Sequence, residues 1–433
     1  MPNILQGLEY NTVFVQSLDG ERSVDLTNGL ISTDYFEDLL EPCVTAVLTV
    51  ISSYNIIEAL PIRGGELVNI QLKTHAGPFE KLFRVYKVSN QSTDKAKTTF
   101  QLHLAPDEYF NNELTRCVKK YQKLPISSHV RDILQNILKT QDIGIIEETS
   151  NSYSFIGNTK KPLHTLQWLG PKSVSVVTKK RGSKGKDGTK DGDLKGTAGF
   201  LFYQNKDGFN FRSIDTLASK TKTQEASSDD EKILTYTSGE VIKQENEVGT
   251  PDGLKIIQYV FEKNIDLRKS LRVGMYSALS YHYNPVTQLV SAYRYSLRDE
   301  IESSEKLGSE DKIQVFGGFG GPSRVFFSVN DNGVLSSNGG EEESGRDRGD
   351  IAKSFARYNL MFTQALNILI PCNTDLKVGD IIRCSLPDLK MGKATKTDGE
   401  KSGLYLIKEL RHHFEPNQMT TSLKLVRDSY GFK

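Results

Sequence analysis

Apolar and polar residues alternate in four short runs within the first 110 residues. The runs lie at residues 44–51, 67–72, 82–88 and 100–104, and glycine-containing turns separate them. Alternation with a period of two is the pattern of a half-buried strand. Residues 1–110 are therefore predicted to form a domain of short antiparallel strands, as a barrel or a sandwich.

The pattern changes to a helical period between residues 111 and 232. Ser127 and Ser128 offer N-caps for a helix,. Its apolar stripe, at a spacing of three and four, comprises Val130, Ile133, Leu134, Ile137 and Leu138,. Pro162 suits the first turn of a second helix, and Asp207-Gly208 between two aromatic runs predicts a hairpin. The segment is predicted to be an α+β domain.

The remaining chain returns to the β pattern on either side of an insertion. Residues 233–271 connect to the α+β region, and 272–299 together with 366–430 are predicted to form the second β-domain. Residues 300–365 are rich in Gly, Ser and Glu. They are predicted to be an insertion with loops and a strand pair at 312–316 and 324–329. A helix that leads into a strand follows, with a largely aromatic stripe of Ile351, Phe355, Tyr358, Phe362 and Leu366,.

Three elements of the first domain recur in order near the C-terminus. Residues 60–72 resemble 370–382, an alignment that places Pro61 opposite Pro371 and Gly65 opposite Asp375. Residues 83–88 match 405–410, and 102–104 match 423–425. An ordered series of this kind predicts an internal duplication with two related β-barrels. Repeated contacts between such domains favour a closed ring, and a homotrimer would present six similar barrels.

Composition narrows the function classes. The 433 residues carry 55 Lys and Arg against 54 Asp and Glu, which argues against a protein that mainly coats nucleic acid,. No apolar run approaches the roughly 18 residues of a membrane helix, and we expect no signal peptide. The four cysteines show no metal-binding spacing and are predicted to be reduced and buried. They are Cys43, Cys117, Cys372 and Cys384.

Candidate chemical motifs are weak. His412-His413 would point to opposite faces of a strand, so they do not form a metal pair. The loop at 179–195 holds seven Lys or Arg against three Asp, and it lacks the phosphate-loop spacing,. We interpret it as a solvated loop, with an acidic subunit or passing DNA as the alternative contact. No catalytic, metal or cofactor site is predicted.

Four stretches, in order along the chain, resemble the baseplate hub subunit of contractile-tailed bacteriophages, whose fold is shared with the hub half of type VI secretion spike proteins. They are residues 38–42 with the strand at 44–51, and residues 60–66, 200–215 and 403–429. They include Leu60-Pro61-Ile62-Arg63-Gly64-Gly65-Glu66, the aromatic hairpin around Asp207, and the C-terminal strand pair.

The resemblance implies a mainly β fold with an α+β insertion. It has two related tube-type antiparallel β-barrels per chain, and a homotrimer forms a pseudo-hexameric ring. The implied partners are a separate trimeric spike protein, hexameric tail tube or tube-initiator proteins, other baseplate proteins, and DNA only in transit through the lumen. The implied location is the virion tail baseplate, after assembly in the bacterial host cytoplasm and without membrane insertion. The chain ends after the second barrel, which suggests that the spike is a separate polypeptide.

The candidate residues are structural. Pro61, Gly64, Gly65, Pro371 and Gly379 are predicted to set the turns that enter matching strands. The predicted packing positions are Leu67, Ile70, Leu72, Phe83, Val85, Leu102 and Leu104 in the first copy, and Val378, Ile381, Tyr405, Ile407, Leu423 and Leu425 in the second.

Two other classes of function stay open at this stage. One is a cell-wall-degrading tail enzyme, which would need an acid and a base carboxylate in one cleft. The other is a monomeric β-rich module that binds glycans. A third possibility, the hub component of a related contractile secretion device, differs only in the machine that the chain would serve.

A charge at one predicted core position tests the packing role. Ile407→Asp is expected to prevent folding or trimer formation, because an unpaired carboxylate would be buried. Light scattering and thermal unfolding measure the effect. A trimeric variant of normal stability would contradict the assignment.

Overall fold

A computed structural model describes most of the chain. The described residues are 9–52, 60, 62–74, 77–94, 97–176, 198–219, 233–239, 252–262, 266–285, 288–297, 306–308, 321–329, 350–390 and 393–431. Pro61, the basic loop at 179–195 and the predicted strand at 312–316 lie outside these residues.

The structure is mainly β, as predicted, and its strands fall into three groups along the chain. The first seven strands are β1 (Glu9–Gln16), β2 (Ser23–Asp25), β3 (Leu30–Asp38), β4 (Thr45–Ser52), β5 (Leu67–Thr74), β6 (Gly77–Asp94) and β7 (Lys97–Ala105). The middle group is β8 (Lys120–Pro125), β9 (Ile143–Ile146), β10 (Ser152–Ile156), β11 (Phe200–Asn205) and β12 (Gly208–Ser213). The last group is β13 (Thr235–Ser238), β14 (Lys255–Ile256), β15 (Gln258–Glu262), β16 (Ser277–Asn284), β17 (Leu289–Ser296), β18 (Arg324–Val329), β19 (Gln364–Pro371), β20 (Ile381–Ser385), β21 (Pro387–Lys390), β22 (Lys393–Thr397), β23 (Gly403–Glu415) and β24 (Gln418–Arg427).

Short helices connect these strands. They are α1 (Asp107–Leu114), α2 (Ile126–Asp132), α3 (Pro162–Leu169), α4 (Ile214–Ala218), α5 (Leu267–Arg272) and α6 (Asp350–Leu360), with a π-helical turn at Ile133–Leu138 and 3-10 turns at Thr27–Gly29, Gly170–Lys172 and Asp252–Leu254. In the part of the chain that is described, no helix is long and apolar enough to cross a membrane.

One 14-stranded sheet contains the same strand order twice. The N-terminal half-sheet (β1–β7) runs β3-β4-β7-β6-β5-β1, and the C-terminal half-sheet (β13–β15, β19, β20, β23 and β24) runs β15-β19-β24-β23-β20-β13. The matching neighbours also agree in direction, except that β1 is antiparallel to β5 whereas β13 is parallel to β20. One hydrophobic cluster extends through both halves. The strand order supports the predicted internal repeat.

Backbone hydrogen bonds fix the register of the repeat. The Gly65 amide donates to Val85 O at 2.7 Å, and the Gly379 amide donates to Ile407 O at 3.1 Å. A β-bulge follows in both halves, after Val85 and after Ile407. Gly65 is thus equivalent to Gly379, and the sequence alignment of Gly65 with Asp375 is wrong.

The proline match explains that error. Pro371 is the last residue of β19 and pairs with Thr420 in β24. The equivalent pair in the N-terminal half is Ile51 and Thr99. The connection from β19 to its glycine turn therefore differs in length from the connection that starts at β4. Each connection contains an apolar residue followed by proline, but these two pairs do not occupy equivalent positions in the structure.

The hairpin within residues 272–299 does not lie in the C-terminal half-sheet, although these residues were predicted to belong to the second β-domain. β16 pairs with β17 and with β18 in a separate three-stranded sheet, and neither joins the C-terminal half-sheet. The positions beside β19 and β20 are taken by β15 and β13. Alternation identified these residues as strands but did not determine their partners.

The middle block is α+β, as predicted. The Asp207-Gly208 hairpin is confirmed by the continuous β11–β12 pairing, in which Gly208 has φ +112°. Pro162 begins α3, also as predicted. The preceding helix begins at Ile126 with Pro125 at its N-cap, so Ser127 and Ser128 are not its caps. Ser127 is buried instead, where its amide donates to Thr149 Oγ1 at 3.0 Å.

The helix and strand predicted after residue 350 are also confirmed, as α6 and β19. The buried face of α6 is different from the predicted aromatic stripe. Phe355 is 39% exposed, whereas Arg357 is 5% exposed. The Arg357 guanidinium donates to Asp215 Oδ1 at 2.8 Å and lies 3.5 Å from Asp428 Oδ2. This ion pairing explains how an arginine replaces an apolar residue in the buried face.

The repeated glycines predict a graded loss of stability. A Cβ at Gly379 (φ +94°) would lie 2.6 Å from Tyr203 Oη, and one at Gly65 (φ +96°) would lie 3.0 Å from a Leu18 methyl. We expect Gly65→Ala to lower the free energy of unfolding by roughly 1–3 kcal/mol and Gly379→Ala by more, since its Cβ would also clash with the buried Tyr203 hydroxyl,. Gly253→Ala, with nothing within 4 Å, is the matched control. Urea unfolding measures all three, and equal stabilities would contradict the argument.

Candidate functional site: the junction of the two half-sheets

Strands β3 and β23 join the two half-sheets. Six residue pairs, from Asp38 with Glu409 to Thr33 with Phe414, form an antiparallel ladder. β23 is available because β20 covers only its first residues, Gly403 to Leu406. The rest of that edge accepts β3, so its backbone groups are paired by another strand.

Ionic side chains lie on the solvent-facing side of this ladder. Asp34 Oδ1 lies 2.8 Å from Arg411 Nε and 2.6 Å from His413 Nδ1. His413 Nε2 lies 3.0 Å from Glu415. Because these groups are partly exposed, each pair contributes little stability, and the cluster mainly fixes the register of β3 against β23.

Aromatic side chains cover the core side. The rings of Tyr35 and His412 stack at 6.1 Å with an interplanar angle of 11°, and Phe79 meets Tyr35 edge-on at 5.1 Å. Burial lowers the pKa of His412 to about 3, so the ring is neutral,. Its Nδ1 is 2.8 Å from Thr421 Oγ1. His412 and His413 do face opposite sides, as predicted, and His412 lies in the core.

Glu37 is a buried carboxylate behind the ladder. Tyr35 Oη donates to its Oε1 at 2.9 Å, and the Val378 amide donates to its Oε2 at 2.9 Å. Burial raises the pKa of Glu37 to about 7, against the opposing effect of hydrogen bonds from Val378, from Tyr35 and from the backbone of Lys206,. The carboxylate therefore connects β3, the turn before β20 and the β11–β12 turn.

The β11–β12 hairpin fastens the middle block to both halves. Lys206 Nζ donates to Asp375 O at 2.6 Å, and Lys81 Nζ of β6 donates to Lys206 O at 2.9 Å. Lys377 Nζ lies 2.5 Å from Asp207 Oδ2. The Val44 amide donates to Gln204 Oε1 at 3.2 Å. The hairpin thus contacts the N-terminal and the C-terminal half-sheets at one place.

The predicted structural residues fall around this junction. Eleven lie buried in the shared core: Ile70, Leu72, Phe83, Val85, Leu102, Leu104, Val378, Tyr405, Ile407, Leu423 and Leu425. Leu67 and Ile381, at equivalent strand starts, are half-buried. Gly64, Gly65 and Gly379 have positive φ. Their contribution to contacts between subunits stays a prediction.

Sequence reasoning missed Tyr35, Glu37 and Lys206. A signal for Glu37 was present, because it continues the buried alternation of Thr33 and Tyr35 that leads to Leu39. A carboxylate at a core position of a strand implies a buried hydrogen-bonding partner. Its partner Val378 lies 341 positions away in the sequence, so the contact itself could not be found.

The described part of the chain contains no cluster of metal ligands, and its cysteines are not arranged for reaction. Within those residues no three His, Cys, Asp or Glu side chains lie close enough to hold an ion. All four cysteines are buried free thiols, as predicted. Burial raises the pKa of Cys372 to about 11, which keeps this thiol protonated at neutral pH,.

Removing the Glu37 charge is expected to change how stability depends on pH. The folded carboxyl has a pKa near 7 and the unfolded one near 4.5. The folded state thus binds the proton more tightly than the unfolded state, so the contribution of Glu37 to the free energy of unfolding is most favourable below pH 4.5. This contribution is lost as pH rises through 7, and the total loss is about 3 kcal/mol,.

Glu37→Gln should abolish that fall, since the amide does not titrate. Urea unfolding at pH 4.5, 6 and 8 measures the difference in stability between the natural chain and the variant. Glu80→Gln, at an exposed carboxyl, is the control. A pH-independent difference for Glu37→Gln would show that this carboxyl does not titrate with the fold.

Comparisons with known proteins agree with this architecture. No family model matches the chain. A curated protein named "Probable baseplate hub protein gp334", from Vibrio phage KVP40, is 20% identical over 450 residues, covering 99% of this chain and 96% of the relative. The 43 kDa tail protein of prophage MuSo2 from Shewanella oneidensis has a TM-score of 0.50 at 10% identity, covering 96% of this chain and 98% of that one. A tail protein from Neisseria meningitidis MC58 has a TM-score of 0.50 at 11% identity, covering 98% and 97%. The resemblance to phage baseplate hub proteins that the sequence indicated is confirmed, through a relative that spans the chain and through the shared fold of two tail proteins.

Proposed function

We propose that this protein is a structural baseplate hub subunit of a contractile phage tail. Three copies form a ring that adapts the hexameric tail tube to a separate trimeric spike, and DNA crosses the lumen only in transit. The observation that carries this proposal is the repeated strand order within one continuous sheet. A chain that contains two equivalent half-sheets offers six similar units in a trimer, and six units match a six-fold tube.

The contacts at the junction support a role in which the subunit resists mechanical force. The two half-sheets share one core and one hydrogen-bonded ladder, so they move as one body. The middle block is fixed to both by the β11–β12 hairpin. A rigid subunit of this kind keeps the geometry of a ring when force is applied to it. In the proposed mechanism, the ring closes the tube and releases the spike when the tail contracts.

The near-neutral charge fits this role. With 55 basic and 54 acidic residues, the chain lacks the surplus of cations that binds DNA tightly,. A channel component must let DNA pass without holding it. Its contacts are proposed to be mainly with copies of itself and with tube, spike and other baseplate proteins.

The oligomeric state tests the proposal. We expect light scattering of the purified chain to give three times the chain mass of 48.5 kDa, and negative-stain images to show rings. A peptidoglycan zymogram with the same sample discriminates the enzymatic alternative. A stable monomer, or clearing of the peptidoglycan, would contradict the structural hub.

A further inference from the structure

Strand β6 has an edge that its neighbours do not cover. β5 pairs with Gly77 to Arg84 of β6, and β7 pairs with the opposite edge of the strand as far as Asp94. Within the described residues, no strand pairs with the β5-facing edge from Lys87 to Asp94. β23 has the same arrangement up to Arg411, the residue equivalent to Ser89, and there the equivalent edge is occupied by β3. Beyond Ser89, β6 has a second bulge, between Ser89 and Ser92, that β23 lacks.

Strand β15, in the C-terminal half-sheet, also has one edge that no described strand pairs with. It holds in the C-terminal half-sheet the place that β3 holds in the N-terminal one, and it pairs with β19 as β3 pairs with β4. β3 uses its second edge to reach β23. Among the strands that are described, β15 has a partner on one edge only. Val260, at its centre, is 50% exposed.

We infer that β15 of one copy pairs with the free edge of β6 in the next copy. This inference rests on the proposed ring of copies. It repeats between copies the joint that β3 and β23 make within the chain, so each half-sheet would contact the next in the same way. Uncovered strand edges favour pairing with another chain, and repetition of one contact around an axis closes a ring.

The internal joint also gives the register of the external one as far as Ser89, where the second bulge of β6 begins. Phe36 pairs with Arg411 across the internal joint. Ser89 takes the place of Arg411, since Ser89 pairs with Gln101 as Arg411 pairs with Ser422, two residues after the matching bulge. Glu262 takes the place of Phe36, since Glu262 pairs with Ala365 as Phe36 pairs with Thr45. Ser89 of one copy is therefore placed opposite Glu262 of its neighbour.

The external joint has its own chemistry. Val260 stands where Asp34 stands in the internal ladder, since Val260 pairs with Asn367 as Asp34 pairs with Val47. Asp34 binds Arg411 and His413. An aliphatic side chain in its place makes the copy-to-copy joint depend on backbone pairing and apolar burial rather than on this ion cluster. The copy-to-copy joint therefore lacks the counterpart of the Asp34 ion pairs of the internal ladder.

Cysteine cross-linking tests the register. Directly opposed residues of antiparallel strands have Cα atoms roughly 4.5–5.5 Å apart, which suits a disulfide. We expect the double variant Ser89→Cys with Glu262→Cys to give covalent dimers and trimers after mild oxidation. The native cysteines are all buried, so background cross-linking should be low. Mixing the two single variants during refolding should give only dimers that join one copy of each kind.

A matched control moves one cysteine along the same strand. Gln258→Cys with Ser89→Cys keeps both thiols on the same two strands but shifts one by four residues, about 13 Å. This pair should not cross-link. Rings of the expected mass in which the Ser89–Glu262 pair fails to cross-link, or cross-links no better than the control, would overturn this inference and leave the proposed hub intact. A monomer at every protein concentration would contradict both.

Discussion

The ladder between β3 and β23 is the contact on which the arrangement of the chain depends. β23 is longer than its neighbour β20, so part of its edge needs another strand to satisfy its backbone groups,. β3 supplies that strand from 371 to 381 residues earlier in the chain. The pairing turns two half-sheets into one sheet with one core. It also brings Glu37 and the aromatic cluster around Tyr35 to the place where the middle block can contact both halves.

The two halves preserve a backbone frame while their side chains differ. The glycine turn, the bulge and the strand order recur, whereas Asp34 is matched by Val260 and Arg411 by Ser89. The frame recurs because a positive φ and a bulge determine where a strand turns and ends, whichever residues cover it. The differing side chains give the internal joint the Asp34 ion cluster and place Val260 and Ser89 at the corresponding positions of the outer edges. A duplicated chain can in this way hold its own halves together permanently and still present related edges outward.

Buried ionisable groups favour one relative position of the half-sheets, the middle block and α6. Glu37 is bound by a hydroxyl and by backbone amides rather than by a cation, and Arg357 is held by Asp215 and Asp428. Each group loses hydration that only its partners replace, so a misplaced half-sheet or helix would leave a charge unpaired in the core. Apolar packing alone would tolerate several relative positions of these parts. The polar contacts favour one of them.

The sequence by itself determined the local elements. Alternation located β4 to β7, and Asp207-Gly208 located the hairpin, because these signals depend on neighbours within a few residues. The matches of 83–88 with 405–410 and of 102–104 with 423–425 identified equivalent strands, whereas β1, β3, β13 and β15 were not predicted. Only the tertiary structure decided which strands pair. It matched Gly65 with Gly379 instead of Asp375, separated β16 and β17 from the C-terminal half-sheet, and buried His412 and Glu37. The physical reason is that sheet partners and buried polar contacts are set by hydrogen bonds between residues hundreds of positions apart, and a one-dimensional pattern contains no information about which distant edge is free.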